Sequence, residues 1–236
     1  MTDEGKVYNR EVCKVCGRCV EECYAGSLVI IGNEMTVEEV LTEVEKDRPF
    51  YETSGGGVTY SGGEPLLQIE FTEALLRESK RRHLHTAVDT ALCIPWQSVV
   101  QAKPHTDLFL IDVKTLNDDL HRKITGVGNT RVLENLRRLA DGEKEIWIRV
   151  PVVPGLVNDS EREIEALVGF VGGLEGIEMV ELLPYHRLAE AKYRSLGLEP
   201  KSYETPSAEL MDRLKTILTS NGIAIARQKQ PLKSKQ

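Results

Sequence analysis

Residues 57–65 read Gly57-Val58-Thr59-Tyr60-Ser61-Gly62-Gly63-Glu64-Pro65. A β-branched and aromatic run stops on two glycines, a carboxylate and a proline, the mark of a strand running into a turn. Four runs of similar texture follow: HTAVD at 85–89, DLFLIDVK at 107–114, EIWIRVPVV at 145–153 and EMVELLPY at 178–185. Helical patterns separate them at about 69–82, 95–103, 129–140 and 160–171. Asn129 or Thr130 opens one of these, and Ser160 with Glu163 has the spacing of a capping box. A last helix is predicted near 207–220, closed by Asn221-Gly222. Strands alternating with helices predict a parallel α/β sheet with right-handed crossovers, either an open doubly wound sheet or a barrel. No G-x-G-x-x-G follows an early strand, which weighs against a dinucleotide-binding sheet. The predicted strands end at Ser61, Asp89, Lys114, Arg149 and His186, and (β/α) barrels collect their sites at strand C-termini.

Upstream, Thr36 and Glu39 form a second capping-box pair before a helix through Val37, Val40, Leu41 and Val44 that should stop before Pro49. The expected division is a cysteine-bearing segment at 1–32, an α/β body at 33–225 and a basic, flexible tail at 226–236. Thirty Lys and Arg against 37 Asp and Glu give a net charge of −7, which argues against nucleic acid as a partner. Apolar residues make up 41% of the 236 residues, enough for a folded domain, and no apolar run approaches the ~20 residues of a membrane helix. The polar N-terminus carries no signal segment, so a cytoplasmic location without a membrane partner is expected.

Four of the five cysteines, Cys13, Cys16, Cys19 and Cys23, read C-x2-C-x2-C-x3-C. Soft thiolates at this spacing suit an iron–sulfur cluster, as in bacterial ferredoxins. A zinc knuckle is the other reading, although structural zinc sites usually split their cysteines into two pairs. All four thiolates serve one cluster, or Cys23 serves a second one. Tyr24 stands where a proline usually follows the fourth cysteine.

Gly62 and Gly63 read either as a flexible turn or as bare backbone where a ligand sits. Asp89, Thr90, Asp112, Lys114, Arg149 and His186 are each ordinary loop residues taken singly. Their convergence on one barrel end makes a site. Asp112 and Lys114 are two apart on one strand face and suit the opposite charges of a zwitterion. His83, His85, His105 and His121 read as surface residues, and Trp96 and Trp147 as packing.

Together, CKVCGRCVEEC, FYETSGGGVTYSGGEPLLQ, HTAVDT, DLFLIDVK, HRKITGVGN, VLENLRRLA, IRVPVVPG and ELLPYHRLAEAKYRSLG resemble the activating enzymes of glycyl radical enzymes, in the radical S-adenosylmethionine superfamily. The resemblance implies a partial (β/α) TIM-type barrel, here lacking its first strand, behind a short ferredoxin-like segment. It implies a [4Fe-4S] cluster and S-adenosylmethionine, cleaved reductively to a 5′-deoxyadenosyl radical that takes hydrogen from a glycine of a partner glycyl radical enzyme. An electron donor such as flavodoxin or ferredoxin is implied too. Gly62, Gly63 and Glu64 match the motif at the methionine amino group. Asp89 and Thr90 match the next strand end near the cofactor. Asp112 and Lys114 match the pair at the methionine part, and Arg149 and His186 match positions lining the cofactor and peptide groove. The match makes Cys13, Cys16, Cys19 and Cys23 an auxiliary cluster run.

Two departures stand out. Ala91-Leu92 occupy a turn where the family usually has a glycine nearby, and C-x3-C-x2-C, which binds the catalytic cluster, does not occur. The sequence therefore reads as a family member that starts late, or as a paralogue that binds a cluster or a partner without catalysis.

Overall fold

The structure is a computed structural model that describes residues 9, 11–142 and 144–226. The tail beyond residue 226 lies outside the described residues. Contacts divide the chain into two compact units, Met1–Val40 and Leu41–Gln236. The first holds α1 (Arg18–Glu21). Helix α2 (Val37–Glu45) crosses the boundary, and α3 (Arg48–Ser54) follows. The Thr36 box forms as expected: Oγ1 accepts from Glu39 N–H at 3.3 Å, and the Glu39 carboxylate accepts from Thr36 N–H at 2.7 Å. The Thr36 N–H and the Thr36 hydroxyl, both donating to the Glu39 carboxylate, hold it below the usual carboxylate range. The α2 helix stops short of Pro49 as predicted. Pro49 then enters the first turn of α3, where its missing N–H is not needed.

The second unit carries one parallel sheet: β1 (Gly57–Tyr60), β2 (His85–Thr90), β3 (Leu108–Asp112), β4 (Glu145–Val152) and β5 (Ile177–Pro184). The order is β1-β2-β3-β4-β5. Each strand lies beside its predecessor, so the sheet never reverses direction as a doubly wound sheet does. This is barrel winding, and it settles the choice left open above. The crossovers are α4 (Ile69–Arg81), α5 (Trp96–Ala102), α6 (Asp118–Thr125) with α7 (Thr130–Ala140), and α8 (Glu161–Val171). After β5 come α9 (Glu190–Ser195) and α10 (Ala208–Ser220), and Ile225 then bridges in parallel to Val180. A sixth strand position thus begins beside β5. At the other edge β1 pairs with β2, and among the described residues no strand precedes it.

Alternation decides which face the helices cover. Along β4, Ile146, Ile148, Val150 and Val152 are buried, while Trp147, Arg149 and Pro151 point to the other, half-open face. Phe109 and Ile111 of β3 join the buried layer with Leu76, Leu136, Leu139, Ile164 and Leu214 from the helices. Each such side chain contributes roughly 1.5–3 kcal/mol by leaving water. The concave face is left for polar groups.

Some expectations change. Helix α6 is not predicted from periodicity. Asn117 starts it by accepting from Leu120 N–H at 2.9 Å, and Gly126 ends it at φ +85°. Asn129 does not cap α7 with its side chain; its amide donates instead to the carbonyls of Thr115 and Leu116. His121, expected at the surface, is buried in α6, with Nδ1 2.7 Å from the Val127 carbonyl. Trp147 packs on the concave face and donates to Glu178 at 2.8 Å, and Trp96 lies under the Arg138 guanidinium.

Candidate functional site

Asp89 and Asp112, toward the C-terminal ends of β2 and β3, meet Arg149, which lies inside β4 and not at its expected end. Asp112 and Arg149 are direct neighbours in the parallel register. The Arg149 guanidinium donates to Asp112 Oδ1 at 2.9 and 2.8 Å and to Asp89 Oδ1. Lys114 Nζ donates to Asp112 Oδ2 at 2.6 Å, and Ser61 donates to Asp89 Oδ2 at 3.2 Å. The side chains of Arg149, Asp89 and Asp112 are only about one-fifth exposed and Lys114 about one-third. Charges of both signs therefore share a partly dried surface, where each pairing is stronger than in water. Two carboxylates and two cations balance there.

Beside this network runs the turn after β1. Gly62 has φ +147°, open to glycine, and a Cβ at Gly62 or Gly63 would meet nothing within 4 Å. Bare main chain thus lies next to the charged cluster. Glu64 is engaged: its carboxylate accepts from Leu66 N–H at 3.2 Å, from Ala91 N–H at 3.0 Å and from Thr90 Oγ1 at 2.8 Å to each oxygen. It ties the glycine turn to the end of β2. The Ala91-Leu92 departure shows its consequence here. Leu92 is fully buried and holds φ +53°, a conformation costing a side-chain-bearing residue roughly 1–2 kcal/mol. The Thr90 hydroxyl on its N–H and the Asn135 amide on its carbonyl keep it there.

His186 stands apart. It is exposed and caps the turn Arg187–Ala189, its Nδ1 accepting from Leu188 N–H at 3.4 Å. No hydrogen bond joins it to the charged cluster among the described residues. Its neighbour Tyr185 lines a cavity of about 440 Å³ with Tyr193, Tyr203, Leu156 and Glu190. Sequence reasoning passed over Asn158, which bonds to Lys114 and Pro151 at two strand ends. The signal available was a proline inside a predicted strand.

The cysteine run has the ligand spacing without the ligand geometry. Cys13 Sγ accepts from Val15 N–H at 3.3 Å, and Cys23 Sγ lies 3.2 Å from Ser27 Oγ. Among the described residues no three His, Cys, Asp or Glu side chains are gathered to hold a metal ion. As placed, the four thiols are not gathered around a common point.

Residues 21–168 match the family model of the Radical SAM superfamily. The isethionate sulfite-lyase activating enzyme of Nitratidesulfovibrio vulgaris is 43% identical over 214 residues, 89% of this chain and 69% of the relative. The pyruvate formate-lyase-activating enzyme of Staphylococcus epidermidis is 39% identical over 80% of this chain and 78% of its own length. The corresponding isethionate sulfite-lyase activating enzyme of Oleidesulfovibrio alaskensis is matched at 44% identity, and the chain spans 61% of its length. A solved domain of pyruvate-formate lyase-activating enzyme from Bacteroides vulgatus superposes with a TM-score of 0.62 at 32% identity, covering 72% of this chain and 98% of the domain. No helix of the described residues is long and apolar enough to cross a membrane. The singly wound sheet, the charged strand ends and these matches agree: the chain belongs to the radical SAM superfamily, among the activating enzymes of glycyl radical enzymes.

Proposed function

We propose that this chain is the part of a glycyl radical enzyme activating protein that binds S-adenosylmethionine and the partner enzyme. The observation that carries this reading is the Asp89–Arg149–Asp112–Lys114 network beside the bare backbone of Gly62-Gly63. An amino-acid zwitterion needs donors, acceptors and charges of both signs within a few ångströms, on a surface that excludes part of the water. The glycine turn offers main chain to the amino group, and Lys114 and Arg149 offer cations to the carboxylate. Asp89 and Asp112 hold those cations in place before the ligand arrives. Glu64 and Thr90 fix the turn. When bound and reduced in a complete activating enzyme, S-adenosylmethionine supplies a 5′-deoxyadenosyl radical. The tyrosine-lined cavity beside Tyr185 takes up the partner's peptide, and a small electron-carrier protein supplies the reductant.

Cys13, Cys16, Cys19 and Cys23 enter this reading as cluster ligands by spacing alone. Because C-x3-C-x2-C does not occur in the 236 residues, this chain by itself binds S-adenosylmethionine without cleaving it. Titration calorimetry with S-adenosylmethionine checks the first half, and absence of binding overturns it. Anaerobic iron–sulfide reconstitution, reduction and an assay for 5′-deoxyadenosine check the second, and clear turnover overturns that.

A further inference from the structure

The β3–β4 ladder is interrupted beside the charged cluster. Val113 N–H donates to the Arg149 carbonyl at 2.9 Å. In a parallel ladder the next bond would run from the N–H of residue 151 to the Val113 carbonyl. Residue 151 is proline and has no N–H to give. The two strand ends that carry Lys114 and Arg149 would be free to separate at this point.

Asn158 closes the gap. It is 5% exposed and sits at φ +55°, a left-handed conformation that asparagine tolerates better than most residues. Its Nδ2 donates one hydrogen to the Lys114 carbonyl and the other to the Pro151 carbonyl, both at 2.8 Å. Its own N–H donates to Glu163 Oε1 at 3.0 Å, and Glu163 is locked in the capping box of α8. A single buried amide thus couples the end of β3, the end of β4 and the start of α8. Both donors are used, so no other side chain of this size replaces it: aspartate presents acceptors to two carbonyls, and glycine presents nothing.

We propose that Asn158 is a positioning residue of the ligand site. It sets the separation of the β3 and β4 ends, and with it the reach of Lys114 and Arg149 toward a ligand carboxylate. The proposal rests on the S-adenosylmethionine reading above. Two ligands separate the possibilities: S-adenosylmethionine, which has the amino-acid part, and 5′-methylthioadenosine, which lacks it. Asn158→Gly keeps the left-handed backbone and removes the amide, Asn158→Asp keeps the shape and reverses its polarity, and Asn158→Ser keeps one donor.

The expected result is that Asn158→Gly and Asn158→Asp bind S-adenosylmethionine roughly ten-fold or more weakly, from two lost buried hydrogen bonds, while affinity for 5′-methylthioadenosine is unchanged. Asn158→Ser falls between them and the parent chain. Adding Pro151→Ala to Asn158→Gly restores a main-chain donor at 151 and regains part of the affinity. Lys114→Met is the control and shows the same split between ligands. If the parent chain does not bind S-adenosylmethionine, the functional reading fails and the proposal with it. If Lys114→Met weakens binding and the folded Asn158 variants do not, the proposal alone fails. If the variants lose both ligands equally, or none of the three folds, Asn158 is merely structural and the positioning role is overturned.

Discussion

The two units of this chain are ordered by different means. From Leu41 onward a continuous apolar layer lies between one face of the sheet and its helices, with Phe109, Ile111, Ile146, Ile148 and Leu136 fully buried. Before Leu41 no described residue is buried, and Val12, Val15, Tyr24, Val29 and Ile31 are largely exposed. One unit can hold side chains in place against a packed core. The other has four cysteines in a meaningful order and, among its described residues, no buried side chain to gather them. The strand-end cluster is correspondingly well built: its charges sit on β-strands whose opposite faces are locked in the core.

The strongest blow to that contrast is a cavity in the body. Phe109→Ala is expected to cost about 3–5 kcal/mol in denaturant unfolding; a cost under about 1 kcal/mol would mean the layer is not close-packed. Next is the cluster itself. Arg149→Met leaves Asp89 and Asp112 without their shared cation, with an expected loss of about 1–3 kcal/mol of stability after allowance for their partial exposure. S-adenosylmethionine affinity falls at least about ten-fold, and unchanged affinity by calorimetry would remove Arg149 from the site. Gly57→Ala comes third. A Cβ there would lie 2.0 Å from the His85 carbonyl, so β1 must move off β2, at about 1–3 kcal/mol. A melting temperature equal to the parent's would show that this strand edge yields.

A smaller effect appears at acid pH. Burial alone would push the Asp107 carboxyl up, but the Lys80 ammonium at 2.7 Å and the Thr86 N–H and hydroxyl outweigh it and hold it below the usual carboxylate range. The unfolded chain therefore takes up the proton first. The contribution is complete above the ordinary carboxylate value of about 3.9 and is lost as pH falls through the lower folded value. Asp107→Asn should flatten the acid limb of a stability–pH curve, and an identical limb would contradict it. The smallest effect belongs to the head. Replacing Cys13, Cys16, Cys19 and Cys23 together by serine is expected to change the unfolding free energy of the body by less than about 0.5 kcal/mol. A larger loss would show that the head supports the body.

Much of the architecture was legible along the chain because period and punctuation are local signals. All five strands fall inside the predicted runs to within a few residues, and the Thr36 and Ser160 boxes form where their spacing put them. Helix α6 was missed although Asn117 and Gly126 bracket it, because only eight residues lie between those signals and periodicity over two turns is weak. His121 was misjudged for a related reason: a histidine's burial depends on which face of a short helix meets the body.

The sequence by itself determined the alternation of strands and helices, the polar residues at or near the ends of β1, β2 and β3 and the cysteine spacing, since each depends on neighbours a few positions away. Tertiary structure alone decided the winding of the sheet, the meeting of Asp89, Asp112 and Arg149 across 60 residues, the engagement of Glu64 by Thr90 and Ala91, and the use of Asn158 where Pro151 breaks the ladder. Those depend on which strand ends lie side by side. Inter-strand register is set by packing over the whole sheet, and no local pattern encodes it.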